Sequence, residues 1–373
     1  MVRFLVPFSL CLILVGCSAS SSKPEVAPKA PLPVYQMPPE PADPPPKTSG
    51  SRILIQNATV MTAAGPIYSP GYILFDKGLI EAVGEGAGPQ VSEETTVIDA
   101  AGSFITPGVI DTHSHMGVYA VPSTRSHSDG NEMVRPVTPY VSAEHSFWPL
   151  DPNLWRARSG GVTTVQILPG SGNLIGGRSY IAKLHPANSA RAMRFPGAPV
   201  GLKMACGENP KRVYGDRGGP QTRMGNVAGY RKVFQQAYDY RRKQRTYERD
   251  LAHWKEKQKV EGDKAGDPPT PPTRDFGLET LAKVLDGKIL VHNHCYRADE
   301  MNIMMDLANE FGFKIRSFHH ALESYKIADR LAEEKVASST WADWWGFKME
   351  AYDGIPQNAA ILHQAGAMAI IHS

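Results

Sequence analysis

The final hundred residues restrict the fold more than any other part of the chain. Apolar runs at residues 289–291, 314–318, 336–339 and 367–371 alternate with helical patterns at 298–311, 323–334 and 357–364. In the first of these helices Met301, Met304, Met305, Ala308 and Phe311 recur at three- and four-residue steps and share one face. Strand and helix alternating over short connections imply right-handed βαβ units around a parallel sheet. Apolar runs at 104–110, 162–168 and 200–206 extend the series upstream, the second mostly β-branched as in a strand buried on both faces. A closed (β/α)8 TIM-like barrel suits this pattern better than an open sheet, because no dinucleotide-binding glycine fingerprint accompanies the strands. In such barrels the chemistry sits at the C-terminal ends of the strands.

Before the barrel, residues 51–103 hold five short β-rich runs separated by Gly, Asn and Asp, with Lys77-Gly78 as a hairpin turn. They read as a small β-sandwich portion ahead of a barrel that occupies residues 104–373. Residues 116–150 are irregular and rich in Pro, Ser and His, a loop length usual at functional sites. The Gly-rich stretch 169–177 lacks the Gly-Lys-Ser/Thr of a phosphate loop, so its glycines serve tight turning and close backbone approach. Residues 226–261 form one long helix by pattern, from Val227, Tyr230 and Phe234 to Leu251 and Trp254. Its ten basic and five acidic residues give a solvated face on a protruding insertion (226–272), with anionic lipid heads as the alternative contact.

Forty basic against 37 acidic residues leave a formal charge of +3, which gives no global case for nucleic-acid binding. Of four cysteines, Cys11 and Cys17 lie in the leader, and Cys206 and Cys295 in the body. Two are too few for a disulfide scaffold, and they read as small core residues rather than a redox pair. The N-terminus has Arg3 and an apolar stretch, 4–15, too short to span a bilayer. It ends in Leu14-Val15-Gly16-Cys17, which resembles a bacterial lipoprotein signal peptide (1–17) with Cys17 as the lipidated residue. Ser18 in place of Asp directs such a protein to the outer membrane, facing the periplasm. Residues 18–50 are a disordered Pro/Ser-rich tether. Membrane contact is then through the lipid anchor only.

Two histidines one residue apart, His113 and His115, end the run 104–110, and on an extended chain they point to one side. His294 follows the strand 289–291, His320 follows 314–318, and Glu208 follows 200–206. In a barrel these four strand ends converge on one mouth. Nitrogen and oxygen ligands gathered there suit Zn²⁺ or a similar divalent ion.

The stretch Phe104-Ile105-Thr106-Pro107-Gly108-Val109-Ile110-Asp111-Thr112-His113-Ser114-His115 resembles the amidohydrolase superfamily, particularly its imidazolonepropionase-like branch. The likeness runs from about Ser51 to Ser373. It implies a barrel holding one or two metal ions, beside a sandwich assembled from both chain ends. His113 and His115 would bind the more buried ion, with His294 and His320 supplying the fifth- and sixth-strand ligands. His292 is structural on this reading. For the bridging group of the fourth strand the choice is Glu208, with a carboxylated Lys203 as runner-up.

The implied reaction is hydrolysis of an amide, lactam or peptide C–N bond in a small substrate, through water activated by the metal. His294 and His320 would also steady the oxyanion catalytically. Deamination on the same fold and an inactive scaffolding lipoprotein are the alternatives. The family's eighth strand ends in a proton-shuttling aspartate, which would follow Ser373. The expectation is therefore a chain truncated at its C-terminus, lacking that end's share of the sandwich, with weaker metal binding and little turnover. Asn173, Tyr214, Arg217, Arg223, Tyr296, Trp344 and Trp345 are candidate substrate determinants. A homo-oligomer is compatible with this reading.

Overall fold

The computed structural model describes residues 50–372. The leader with Cys17, and the tether as far as residue 49, lie outside the described residues. Five strands open the body: β1 (Ile53–Met61), β2 (Ile67–Asp76), β3 (Leu79–Glu85), β4 (Thr96–Asp99) and β5 (Phe104–Ile105). They form one sheet in the order β3-β2-β1-β4, with β5 also paired to β1. Leu54, Ala58 and Val60 of β1 are buried, and Leu54 stands opposite the buried Leu74 of β2; Ile73, also buried, points to the other face.

The remaining elements follow in chain order. They are β6 (Val109–Ser114), α1 (Pro152–Ser159), β7 (Val162–Ile167), β8 (Ile175–Arg178), β9 (Tyr180–Lys183), α2 (Ala190–Met193) and β10 (Gly201–Ala205). Next come α3 (Glu208–Tyr214), α4 (Arg223–Glu261), α5 (Phe276–Leu285), β11 (Leu290–His294), α6 (Ala298–Phe311) and β12 (Ile315–His319). The chain closes with α7 (Ala328–Glu333), β13 (Ala337–Thr340), α8 (Asn358–Gln364) and β14 (Ala369–Ile371). The 39-residue α4 starts at Arg223, three residues before the sequence pattern suggests, because Thr222 caps it by accepting from the Gly225 N–H.

These strands form two sheets, β6-β7-β9 and β14-β13-β12-β11-β10-β8. From β10 to β14 all neighbours are parallel, as are β6 and β7. The expectation of a wholly parallel ring needs correction at two points. The Gly-rich stretch runs into a strand, β8, and continues into β9; these lie antiparallel to β10 and β7. Gly176 and Gly177 carry no β-forming side chain, so periodicity is silent there, and Val141 leaves no room for a Cβ on Gly177. Second, among the described residues β6 and β14 each have one backbone partner and do not pair with each other. The result is a mixed α/β fold in which the ends of β6 and β14 meet through side chains, His113 and His372, with ring centroids 5.1 Å apart.

Period-two alternation separates core from site. Leu202 and Met204 of β10, Val291 of β11 and Phe318 of β12 face outward into a cluster with Tyr230 and Phe234 of α4, Leu281 of α5, and Met301 and Met304 of α6. The opposite face is polar. Parallel register sets Lys203 beside His292 and His292 beside Ser317, and one layer further on Ala205 beside His294 and His294 beside His319. Gly201 permits this crowding, since a Cβ there would stand 2.6 Å from the His292 ring and the Ser179 hydroxyl.

The two body cysteines also need correction. Cys206 and Cys295 form a disulfide, with Cα atoms 5.3 Å apart, across the ends of β10 and β11. Register explains it: Ala205 pairs with His294, so the next residue on each strand falls side by side. They are 89 residues apart in sequence, with α4 between them, so spacing alone gave no hint.

Candidate metal centre

Seven imidazoles (His113, His115, His292, His294, His319, His320 and His372) and Lys203 gather on the inner face and at its strand ends. One ring nitrogen from each of His113, His320 and His372 lies within 4.8 Å of the other two, close enough to hold a metal ion. Among the described residues no Asp or Glu joins this group. The Nε2 atom of His113 and the Nδ1 atom of His320 are buried without a hydrogen-bond partner. A buried polar atom left unpaired is costly, and a cation offers the missing partner.

Burial sets the protonation of the whole group. Desolvation first, and the charge of Lys203 after it, hold His113 and His294 well below the ordinary imidazole range and bring His115 to about 4. For His320 desolvation is again largest, followed by the charges of His294 and Lys203. Neutral imidazole is the metal-binding form. Lys203 is fully buried, with Nζ donating to the Pro169 carbonyl at 3.1 Å, and desolvation lowers its pKa to about 7.

The two ring nitrogens of His115 are distinguished by the Leu168 carbonyl, which accepts from Nδ1 at 2.8 Å and leaves Nε2 as the open lone pair. His294 ends β11 rather than following it. Its Nε2 takes a hydrogen bond from Asn209 Nδ2 at 3.2 Å, and its Nδ1 is buried without a partner. His320 sits just past β12 at φ +59°, under Trp341, whose ring stacks on it at 4.4 Å.

No family model matches the sequence. The crystal structure of an amidohydrolase from Thermotoga maritima is similar at 34% identity with a TM-score of 0.73, over 86% of this chain and 78% of that one. The chain belongs to the amidohydrolase superfamily. Amidohydrolase tasK of Hapsidospora irregularis is 34% identical over 311 residues; this chain spans about a third of that relative's length, 31%. A 5-methylthioadenosine/S-adenosylhomocysteine deaminase of Halalkalibacterium halodurans is 35% identical over 79 residues.

Within this amidohydrolase the residues singled out from sequence separate into groups. His113 and His320 stand in the cluster, while His115 and His294 flank it with ring centroids 5.1 Å from His113 and 4.8 Å from His320, respectively. Glu208 does not join them: it opens α3, and its carboxylate lies 3.0 Å from Lys348 Nζ. The lysine considered second, Lys203, is the group whose charge reaches His113, His115, His292, His294, His319 and His320. His372 was not singled out, although the strand-end rule applied to the other histidines also marks it, one residue past β14.

Asn173 is corrected from substrate contact to loop anchor. It is buried, and its Nδ2 donates to the carbonyls of Glu132 and Arg135. Arg223 likewise is held by Glu300 at 3.0 Å and by Glu350. Tyr214 is buried, with its hydroxyl inside the protein. Tyr296 does lie at the centre, 4.7 Å from the His294 ring, and Trp344 stacks on Trp341 at 4.4 Å, extending the aromatic wall outward from His320. Trp345 faces Tyr352 on the surface instead.

Proposed function

We propose that this amidohydrolase is a metal-dependent hydrolase that cleaves an amide, lactam or peptide C–N bond of a small substrate. The observation that carries this reading is the triad His113, His320 and His372, with buried, unpaired nitrogens on His113 and His320. The triad by itself offers three neutral nitrogen donors, which suits Zn²⁺ among divalent ions. We read the two sheets as the wall of a (β/α)8-type barrel, supported by the likeness to the Thermotoga maritima amidohydrolase.

A bound ion would supply a Lewis acid and lower the pKa of water at the site. The protein's residues do the rest. His113 and His320 would hold the ion, with the open Nε2 of His115 beside them. Lys203, at a pKa of about 7, is partly neutral near physiological pH and so able to take up CO₂ on Nζ, losing a proton and becoming a carboxylate. We assign the bridging role to that carboxylated Lys203 rather than to Glu208, which Lys348 already neutralises. Trp341 fixes the His320 ring by stacking and shields it from water, and His294 is placed to steady the oxyanion.

We place the chain in the bacterial envelope, anchored through Cys17 at the outer membrane and facing the periplasm. The leader sequence and the Cys206–Cys295 disulfide support this, because such bonds persist in oxidising compartments.

The test measures metal content by mass spectrometry and hydrolysis of a panel of amides, lactams and dipeptides. One or two zinc ions per chain are expected, lost in the double variant His113→Ala/His320→Ala, with any hydrolysis abolished by chelator. Ammonia released from an exocyclic amine, with a hydroxyl or carbonyl left on the substrate and no new carboxylate, would favour the deaminase alternative. A chain that takes up no metal would favour a scaffolding role.

A further inference from the structure

A continuous line of hydrogen-bonding side chains runs from the centre into the protein interior. His113 Nδ1 lies 2.9 Å from His319 Nδ1. The Nε2 of His319 lies 2.7 Å from Ser317 Oγ and 3.1 Å from His292 Nδ1. Ser317 Oγ lies 3.0 Å from His292 Nδ1, and His292 Nε2 lies 3.0 Å from the side-chain amide of Gln166. All five side chains are buried. Register built the line, since it aligns His292 with Ser317 and His294 with His319 on neighbouring strands.

We infer that Gln166, His292, Ser317 and His319 form a positioning relay that sets which nitrogen of His113 is open to metal. The inference rests on the metal-binding reading above. A nitrogen–nitrogen contact needs one donor and one acceptor, and a neutral imidazole carries a single proton. The line therefore has only two consistent directions. When the amide NH₂ of Gln166 faces His292, His292 accepts on Nε2 and donates from Nδ1, and Ser317 passes the donation to His319 Nε2. His319 then donates from Nδ1 to His113, whose own proton stands on Nε2 and closes that nitrogen to metal. When the Gln166 carbonyl faces His292, every donor and acceptor reverses. His113 then keeps its proton on Nδ1, and the buried, unpartnered Nε2 is a free lone pair.

Two observations support the two-direction argument. All three rings are buried away from water, where the neutral form of an imidazole is the less costly one. No carboxylate among the described residues bonds to any of the three rings, so nothing else dictates their tautomers. In this structure the Gln166 NH₂ faces His292, the direction that closes His113. Metal uptake therefore requires the amide to turn over and the protons to shift along the line. Gln166, four side chains from the metal, becomes a determinant of affinity.

The test uses the full chain labelled with ¹⁵N-histidine, together with zinc titration against a chelator. Zinc-loaded protein is expected to carry its protons on Nδ1 of His113, Nε2 of His319 and Nε2 of His292. Gln166→Met removes the NH₂ that holds the closing direction, so it should tighten zinc about tenfold, the scale on which outer-shell partners act. His319→Asp gives His113 a direct acceptor, so adding Gln166→Met in that background should change the affinity less than twofold. A zinc-loaded chain with the His319 proton on Nδ1 would overturn the inference, as would an equal change from Gln166→Met in both backgrounds. A chain that binds no zinc defeats the proposed function instead, and the metal-free spectra then decide the relay. Three rings reading one direction uphold it, and mixed directions defeat it.

Discussion

Breaking the Cys206–Cys295 bond should cost much stability and little metal affinity. The bond closes a loop of 89 residues that contains all of α4 and α5. In the chain-entropy treatment a loop of that length is worth about 4.6 kcal/mol. Net stabilities of single domains are about 5–15 kcal/mol, so the bond can supply a third or more of the total. The local geometry has other supports. The Cys206 N–H donates to the His294 carbonyl at 2.9 Å, and the Cys295 N–H donates to the His319 carbonyl at 3.1 Å. Those backbone bonds survive when the sulfurs part, so His294 should stay in place. Because both cysteines are buried, the cleanest perturbation is Cys206→Ser/Cys295→Ser, compared with the oxidised chain by urea unfolding and zinc titration. At a urea dependence of roughly 3 kcal/mol per molar, the midpoint should fall by about 1.5 M. Zinc affinity should change less than threefold. An unchanged midpoint would refute the loop-closure argument, and a collapse of affinity would refute the claim that backbone bonds hold the strand ends.

Two further outcomes follow from the buried charges. For His115 and His292 burial brings the pKa in the folded chain to about 4 and about 3, below the ordinary imidazole value of 6.5. The unfolded chain therefore binds more protons, and the stability these residues contribute is complete above pH 6.5 and lost as the pH falls toward the folded values. At pH 5 each costs about 2 kcal/mol, so chelator-treated protein should lose at least about 4 kcal/mol between pH 7.5 and 5. Equal urea midpoints at the two pH values would contradict this. For the bridging ligand, Lys203→Met should weaken zinc binding at least tenfold while Glu208→Gln changes it less than threefold, by chelator competition; the reverse pattern would return that role to Glu208.

The sequence carried what depends on neighbours along the chain. Period two and period 3.6 mark β10 to β14 and the helices between them, because burial on one face leaves a local signature. The same periodicity placed His113, His115, His294 and His320 at strand ends. It failed at β8, where glycine has no side chain to report a face. It also failed in residues 323–334, where a 3₁₀ turn at Ser324–Ile327 precedes the shorter helix α7.

Tertiary structure decided everything that depends on register between distant strands. Cys206 and Cys295 become partners only because Ala205 pairs with His294. Lys203 rather than Glu208 faces the histidines because side chains alternate along β10, whereas Glu208 lies past the strand on a helix, where Lys348 meets it. His372 joins His113 only where the ends of β6 and β14 approach each other in space. A sequence determines which residues are buried on each strand. Which buried residues touch is set by pairing, and a shift of one position would turn every inner-face histidine toward the core.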